Sequence, residues 1–219
     1  MAQVPTGTTF FIASAFGSAI NTTAVSNSAP GGEAVVTTAS AHSYSNGDIV
    51  EITSGWGRLN KRAFRIKAAS GSTLTLEGMD TSSTTYFPPG SGIGSVRKAT
   101  TFTQIANVLS AQSQGGDPKT VSYKYIESDV DFSLNDGFNA TSYTLEIDAD
   151  SIGTAGYTNM KSLTDVQTDT ILQMVTRNGA KIYQPCTVAL NEAVQLQDGQ
   201  INRVRAQFNG NNRLVRYAS

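Results

Sequence analysis

His42 is the only histidine and Cys186 the only cysteine in a chain of 219 residues. One imidazole rules out a His-based triad or dyad and any multi-histidine metal site. One thiol cannot form an intrachain disulfide, so nothing in the chain requires an oxidising compartment. His42 precedes Ser43-Tyr44-Ser45-Asn46-Gly47, a turn sequence in which a lone imidazole serves better as a hydrogen-bonding group than as a catalyst. Cys186 stands between Pro185 and Thr187 with no basic residue nearby in sequence to stabilise a thiolate, and reads as a small core residue. No catalytic residue, metal site or cofactor is expected.

Three further motifs invite chemistry, and the first two fail on spacing. Gly90-Ser91-Gly92-Ile93-Gly94-Ser95-Val96-Arg97-Lys98 is glycine-rich like a phosphate loop. It lacks the Gly-Lys-Ser/Thr ending, and the residues after it read as a strand rather than a helix whose N-terminus could hold phosphate. Asp129-Val130-Asp131-Phe132-Ser133-Leu134 starts like a calcium loop, but Leu134 and Ala140 stand where that loop needs Gly and Glu. Trp56, in Ser54-Gly55-Trp56-Gly57-Arg58, could form a carbohydrate-stacking platform with Tyr86 and Phe87; the competing reading is a Trp that caps a small barrel.

Two features resist a purely structural reading. Residues 128–139 (SDVDFSLNDGFN) separate two strands and exceed the roughly two to five residues of a hairpin turn. This loop holds Val130, Phe132, Leu134 and Phe138 among Asp129, Asp131 and Asp136. A solvated loop has no reason to carry two Phe and two aliphatics, so the segment either folds back on its own domain or, the favoured reading, docks these four residues into a neighbouring subunit. The second feature is charge. The charged residues of 127–150 are all acids, whereas the last strands carry Arg203, Arg205, Arg213 and Arg216. Complementary blocks of this kind suggest pairing between strands or between subunits, with Arg203 and Arg205 as the basic partners.

The rest of the chain must position these features. Hydrophobic residues make up 39% and charged residues only 15%, so a core can form while the surface is solvated largely by hydroxyls and amides. Such groups are cheaper to desolvate against a partner than charges are. A formal net charge of −1 argues against a general nucleic-acid coat, which needs a basic patch. The opening residues lack the basic and apolar regions of a secretory leader, and no run approaches the ~18 apolar residues of a membrane span. Synthesis in a cytoplasm is expected.

The pattern predicts a mainly β chain: a β-sandwich or partial barrel with one packed α-helix, plus a small inserted all-β barrel. Strands are read at 8–16, 34–39, 49–53, 63–68, 73–77, 103–111, 120–127, 181–190, 200–209 and 213–218. Residues 17–34 read as small and polar with a linker signal. In 141–149 alternation is clean. Thr141, Tyr143, Leu145, Ile147 and Ala149 share one face, and Ser142, Thr144, Glu146 and Asp148 form a wetted one. The one helix is predicted at about 161–177, from the spacing of Leu163, Val166, Thr170, Ile171, Met174 and Val175, with Asn178-Gly179 as its stop. The body is thus assigned to 1–33 and 99–219, and the barrel to 34–98.

Several of these segments, in order and spacing, resemble the major tail tube proteins of long-tailed (siphovirus-type) bacteriophages. The resemblance is carried by Gly7-Thr8-Thr9-Phe10-Phe11-Ile12-Ala13-Ser14-Ala15-Phe16-Gly17, by Asp150-Ser151-Ile152-Gly153-Thr154-Ala155-Gly156-Tyr157, and by the closing run 199–218. The stretch from Thr38 to Thr81 resembles a small β-barrel module of phage structural proteins. The resemblance implies a virion protein, made in a bacterial host. It would assemble with itself into hexameric rings stacked as a tail tube, alongside tape-measure and other tail-end proteins and away from any membrane. Viral double-stranded DNA would pass transiently through the tube. It further implies that the 128–139 loop contacts the next ring and that Ser142, Thr144, Glu146 and Asp148 face the lumen, giving a hydroxylated, acidic wall. A tail terminator, a head-decoration protein and a carbohydrate-binding β module are the alternatives.

Overall fold

The structure, a computed structural model, describes residues 6–218; residues 1–5, read above for a leader and placed in the body, lie outside it. The described chain forms β1 (Thr9–Phe16), β2 (Ile20–Val25), β3 (Val35–Thr38), β4 (Ile49–Ser54), β5 (Arg62–Ser70), β6 (Thr73–Leu76), β7 (Gly94–Ile105), β8 (Val108–Gln114), β9 (Pro118–Tyr123), β10 (Phe132–Phe138) and β11 (Ser142–Asp148). After these come α1 (Ala155–Val166), β12 (Thr170–Val175), β13 (Lys181–Gln195), β14 (Arg203–Gly210) and β15 (Val215–Tyr217).

Six strands close a barrel in the order β2-β3-β6-β5-β4-β7, with β7 returning to β2. Its interior is sealed by Val36, Ile52, Phe64, Ile66, Leu74 and Leu76. Closure removes the exposed edges that short strands would otherwise present. The barrel draws in β2, a strand that the small polar composition of 17–34 conceals. Its alternate residues meet solvent, and only Thr22 is buried.

Strand β7 belongs to two structures. Gly94 to Lys98 pair with β4 in the barrel, and Ala99 to Ile105 pair with β1. From there the sheet runs β7-β1-β12-β13-β14-β11-β8, leaving β8 at a free edge. The buried side of this sheet, with Phe10, Leu145, Ile147, Val188, Val204 and Phe208, packs against Tyr157 and Met160 of α1.

The helix lies at Ala155–Val166, not at about 161–177. Its N-cap Thr154 accepts a hydrogen bond from the Tyr157 backbone N–H, 3.4 Å away, and Gln167 ends it in the left-handed region. Gly156 lets the helix approach β7, since a Cβ there would lie 2.2 Å from the Gln104 carbonyl oxygen. Thr170 to Met174 are instead buried on both faces of the sheet as β12, between β1 and β13. A short run that is apolar throughout fits a central strand as well as a helix, and periodicity cannot separate the two.

A third cluster, including Ala13, Ile49, Ile171, Tyr183 and Tyr217, fills the junction between barrel and sheet. Polar contacts reinforce it. Lys61 pairs with Asp169 at 2.9 Å, and buried Glu51 pairs with Arg97. Tyr217 Oη accepts from the Arg65 backbone N–H at 2.9 Å.

Candidate interaction surfaces

The register of β11 determines its faces. Leu145 and Ile147 are fully buried, and Ser142, Thr144, Glu146 and Asp148 fall on the opposite, partly exposed side. Directly opposed residues in antiparallel strands share a face, so this side can be followed across four strands. It continues as Ser110, Gln112 and Gln114 on β8. On β14 it includes Arg203, Arg205, Gln207 and Asn209, and on β13 Thr187, Ala189 and Asn191.

Glu146 is the hub of this face. Its Oε2 accepts from the Ser110 hydroxyl at 3.0 Å and from Arg203 at 3.1 Å, and its Oε1 from Arg205 at 3.5 Å. Burial alone would raise its carboxyl; Ser110 and the two guanidiniums outweigh that and hold it below the usual carboxylate range. The four-strand face therefore carries two carboxylates, Glu146 and Asp148, against two guanidiniums, Arg203 and Arg205. It is neutral. The expected acidic wall is corrected, because β14 sets its arginines directly across from the acids of β11.

The segment read as a loop at 128–139 is largely a strand. β10 pairs with β9 in a two-stranded arm that is separate from the main sheet. The arm continues beyond the β8–β11 pair through bonds between Gly116 N–H and Asn139 O, 3.2 Å, and between Asn139 N–H and Asp117 O, 2.9 Å. Val130 lies in the turn and Phe132, Leu134 and Phe138 on β10, all four between 40% and 63% exposed. Phe132 stands opposite Tyr123 and Leu134 opposite Val121, which makes one apolar face. Tyr123, Tyr125 and Phe132 pack with ring centroids 5.4–5.8 Å apart. The sequence pattern reads 120–127 as a strand but does not pair it with this segment, although Val121, Tyr123 and Tyr125 alternate with period two.

Phe138 does not join that face. A register shift between Asn135 and Gly137 reverses the alternation, with Gly137 at φ 120°. Phe138 turns to the other side, where the Arg213 guanidinium lies 3.9 Å from its ring centre.

Elsewhere side chains are occupied structurally. His42 Nδ1 accepts from the Tyr44 N–H at 3.3 Å, and its ring stacks on Tyr44. Trp56 is buried, donates through Nε1 to Pro88 O at 2.8 Å and meets Phe87 edge-on. No sugar could stack on it, so the platform reading loses its central residue. Cys186 is fully buried. Among the described residues no three metal-ligating side chains converge, and no helix is long and apolar enough to cross a membrane.

A sealed β core bearing a broad polar sheet face and an unpaired apolar arm defines a structural β-protein whose distinctive chemistry lies on its surfaces. The chain belongs to the phage tail tube protein family, whose profile matches residues 54–219, and is therefore a structural component of a phage tail. No curated protein matches the sequence. Among solved structures it is similar to a chain from the virion of a native gene transfer agent particle. That likeness has 12% identity and a TM-score of 0.43, over 53% of this chain and 89% of that one.

Proposed function

We propose that the chain is the repeating, non-catalytic subunit of a tail tube. Copies join side by side into closed rings, the rings stack through the β9–β10 arm, and the face with Ser142, Thr144, Glu146 and Asp148 lines a channel for double-stranded DNA. The observation that carries this reading is a neutral polar sheet face on β8, β11, β14 and β13 beside an apolar β9–β10 arm that extends from the β8–β11 end without a partner of its own. A two-stranded arm is at best marginal alone in water, and its exposed Phe132, Leu134, Val121 and Tyr125 call for a partner. A wall without net positive charge does not hold phosphates through counterion release, so DNA slides.

The β8 edge supports ring closure. Its sequence, Val108-Leu109-Ser110-Ala111-Gln112-Ser113-Gln114, has no charge and no proline to block strand addition. Six subunits per ring, a tape-measure protein inside the growing tube and other tail-end proteins at its ends are carried over from the family resemblance. The barrel is an inserted module placed outside the tube, since it stands at the opposite end of the strand order from β8.

Electron microscopy of the purified protein over a concentration series tests this directly. Hollow tubes or stacked rings are expected. Single rings that never stack would point to a terminator or decoration role, and monomers at every concentration would refute the reading.

A further inference from the structure

Two arginines without an acid partner line one cavity at the base of the arm, Arg62 with its guanidinium over the Phe64 ring and Arg213 over Phe138. A cavity of about 830 Å³ opens there between the arm, the β14–β15 connection and the start of β5, with Arg62, Arg213, Gly115, Gly116, Phe138 and Asp117 among its walls. That volume lies within the ~300–1,000 Å³ typical of sites that enclose a ligand. Neither arginine has a carboxylate within ion-pair distance among the described residues. Arg62 Nε is buried with no acceptor, and the nearest oxygen bonded to its guanidinium is the Arg58 carbonyl, 3.4 Å from Nη1. Burial, and then the charge of Arg213, lower its pKa from the usual value. Asp117 is the one acid on the wall, so the lining carries one net positive charge. One incoming carboxylate would neutralise it.

The opposite end of the same strands presents such a carboxylate. Thr141 and Gly210, at one end of the β11–β14 pair, border the cavity; Asp148 and Arg203 close the other end. Just beyond Arg203 lies the β13–β14 turn, Gln197-Asp198-Gly199-Gln200, closed by the Gln200 N–H donating to Gln197 O at 3.1 Å. Arg203 clamps it from within, its Nη2 donating to Gln197 Oε1 at 3.3 Å and to Gln200 Oε1. Asp198 sits at the tip, exposed and without an ion-pair partner, between Leu196 and Ile201, both exposed aliphatics. The turn is thus pre-shaped before any contact is made, which reduces the ordering cost of docking.

We propose that the β13–β14 turn of a second copy of this chain plugs into the Arg62–Arg213 cavity, with Asp198 between the two guanidiniums and Leu196 and Ile201 against Phe138. Plug and socket stand at opposite ends of β14, separated by seven residue steps, roughly 24 Å of strand. Such a head-to-tail contact does not saturate, because every docked copy still offers a free plug or socket. It rests on the tube reading and supplies a receiving surface for the axial contact, beside the arm's own apolar face.

The test is a charge swap in the full-length chain. D198R and R213E alter exposed side chains and should keep the circular dichroism spectrum and a cooperative thermal transition, which are checked before assembly is measured. Each alone is expected to raise the protein concentration needed for tube formation at least about tenfold, by sedimentation and microscopy, and the double variant D198R/R213E to restore most of the loss. Single variants that polymerise like the wild type would overturn the contact while leaving the tube reading intact. So would a double variant as defective as either single, which would assign the two residues to different partners. A wild-type chain that never assembles would overturn both.

Discussion

Replacing Glu146 by glutamine removes the one acid that faces both Arg203 and Arg205. The carboxylate has 17% of its side chain exposed and Arg203 26%, so their 3.1 Å contact is partly shielded and worth about 1–2 kcal/mol as a charge-assisted bond. Arg205, at 3.5 Å and half exposed, adds only about 0–0.5 kcal/mol after solvent screening. The Ser110 hydroxyl can still donate to the amide oxygen, so little is lost there. E146Q should therefore lower stability by about 1–2 kcal/mol, or roughly 2–8 °C in melting temperature for a chain of this size. Urea unfolding at low protein concentration measures it. The pH dependence gives a second check. The Glu146 carboxyl is held below its unfolded range, so its contribution is complete above that range, near pH 4.3, and disappears as pH falls through the lower folded value. The gap between wild type and E146Q should be widest at pH 7 and close in acid. A gap under about 0.3 kcal/mol at pH 7, or one that ignores pH, would refute the argument. The same change gives the polar face one net positive charge per subunit; under the proposed function, DNA retention in assembled tubes should then become stronger and more salt-sensitive.

Two further outcomes follow from burial and connectivity. Replacing residues 118–138 by a short Gly-Ser link should leave melting nearly unchanged, since the arm shares no strand pairing with the main sheet, yet abolish elongation. Normal tubes from that variant, seen by negative stain, would exclude the arm from stacking. Cys186 is fully buried and burial pushes its thiol up to about 12, so a thiol reagent at pH 8 should label it only in denaturant. Rapid labelling of the native protein would contradict the packing of β13.

What the sequence revealed depended on how many faces of an element are buried. The 141–149 strand was legible because only one side is covered, and its alternation maps onto Leu145 and Ile147 inside and Ser142, Thr144, Glu146 and Asp148 outside. Thr170–Val175 was misread because both sides are covered, which erases period two and leaves an apolar run that helical spacing also fits. The actual helix has an uneven apolar stripe, with Gly156 where close approach to β7 forbids a side chain. Strand β2 was hidden because barrel closure needs its backbone more than its side chains, of which only Thr22 is buried. For the arm, the excess of apolar residues was visible in 128–139, but its pairing with β9 was not. The register shift that turns Phe138 away from Phe132 and Leu134 has no signal beyond Asp136-Gly137.

The neutrality of the polar face is the point at which sequence and structure together say more than either alone. Read along the chain, residues 127–150 are acidic and the last strands basic, which suggests segregated charge. Antiparallel pairing of β11 with β14 folds one block across the other, Glu146 opposite Arg205 and Asp148 opposite Arg203. Three charges without an ion-pair partner among the described residues stand near the two ends of β14: Arg62 and Arg213 at the base of the arm, Asp198 at the far turn. On the proposed reading, a face along which a polyanion slides benefits from internal cancellation, and ends that join copies benefit from complementary charges that cannot cancel within one copy. The same sheet register therefore supplies both conditions. Shifting it by one residue would expose Leu145 and Ile147 and destroy the pairing and the face together.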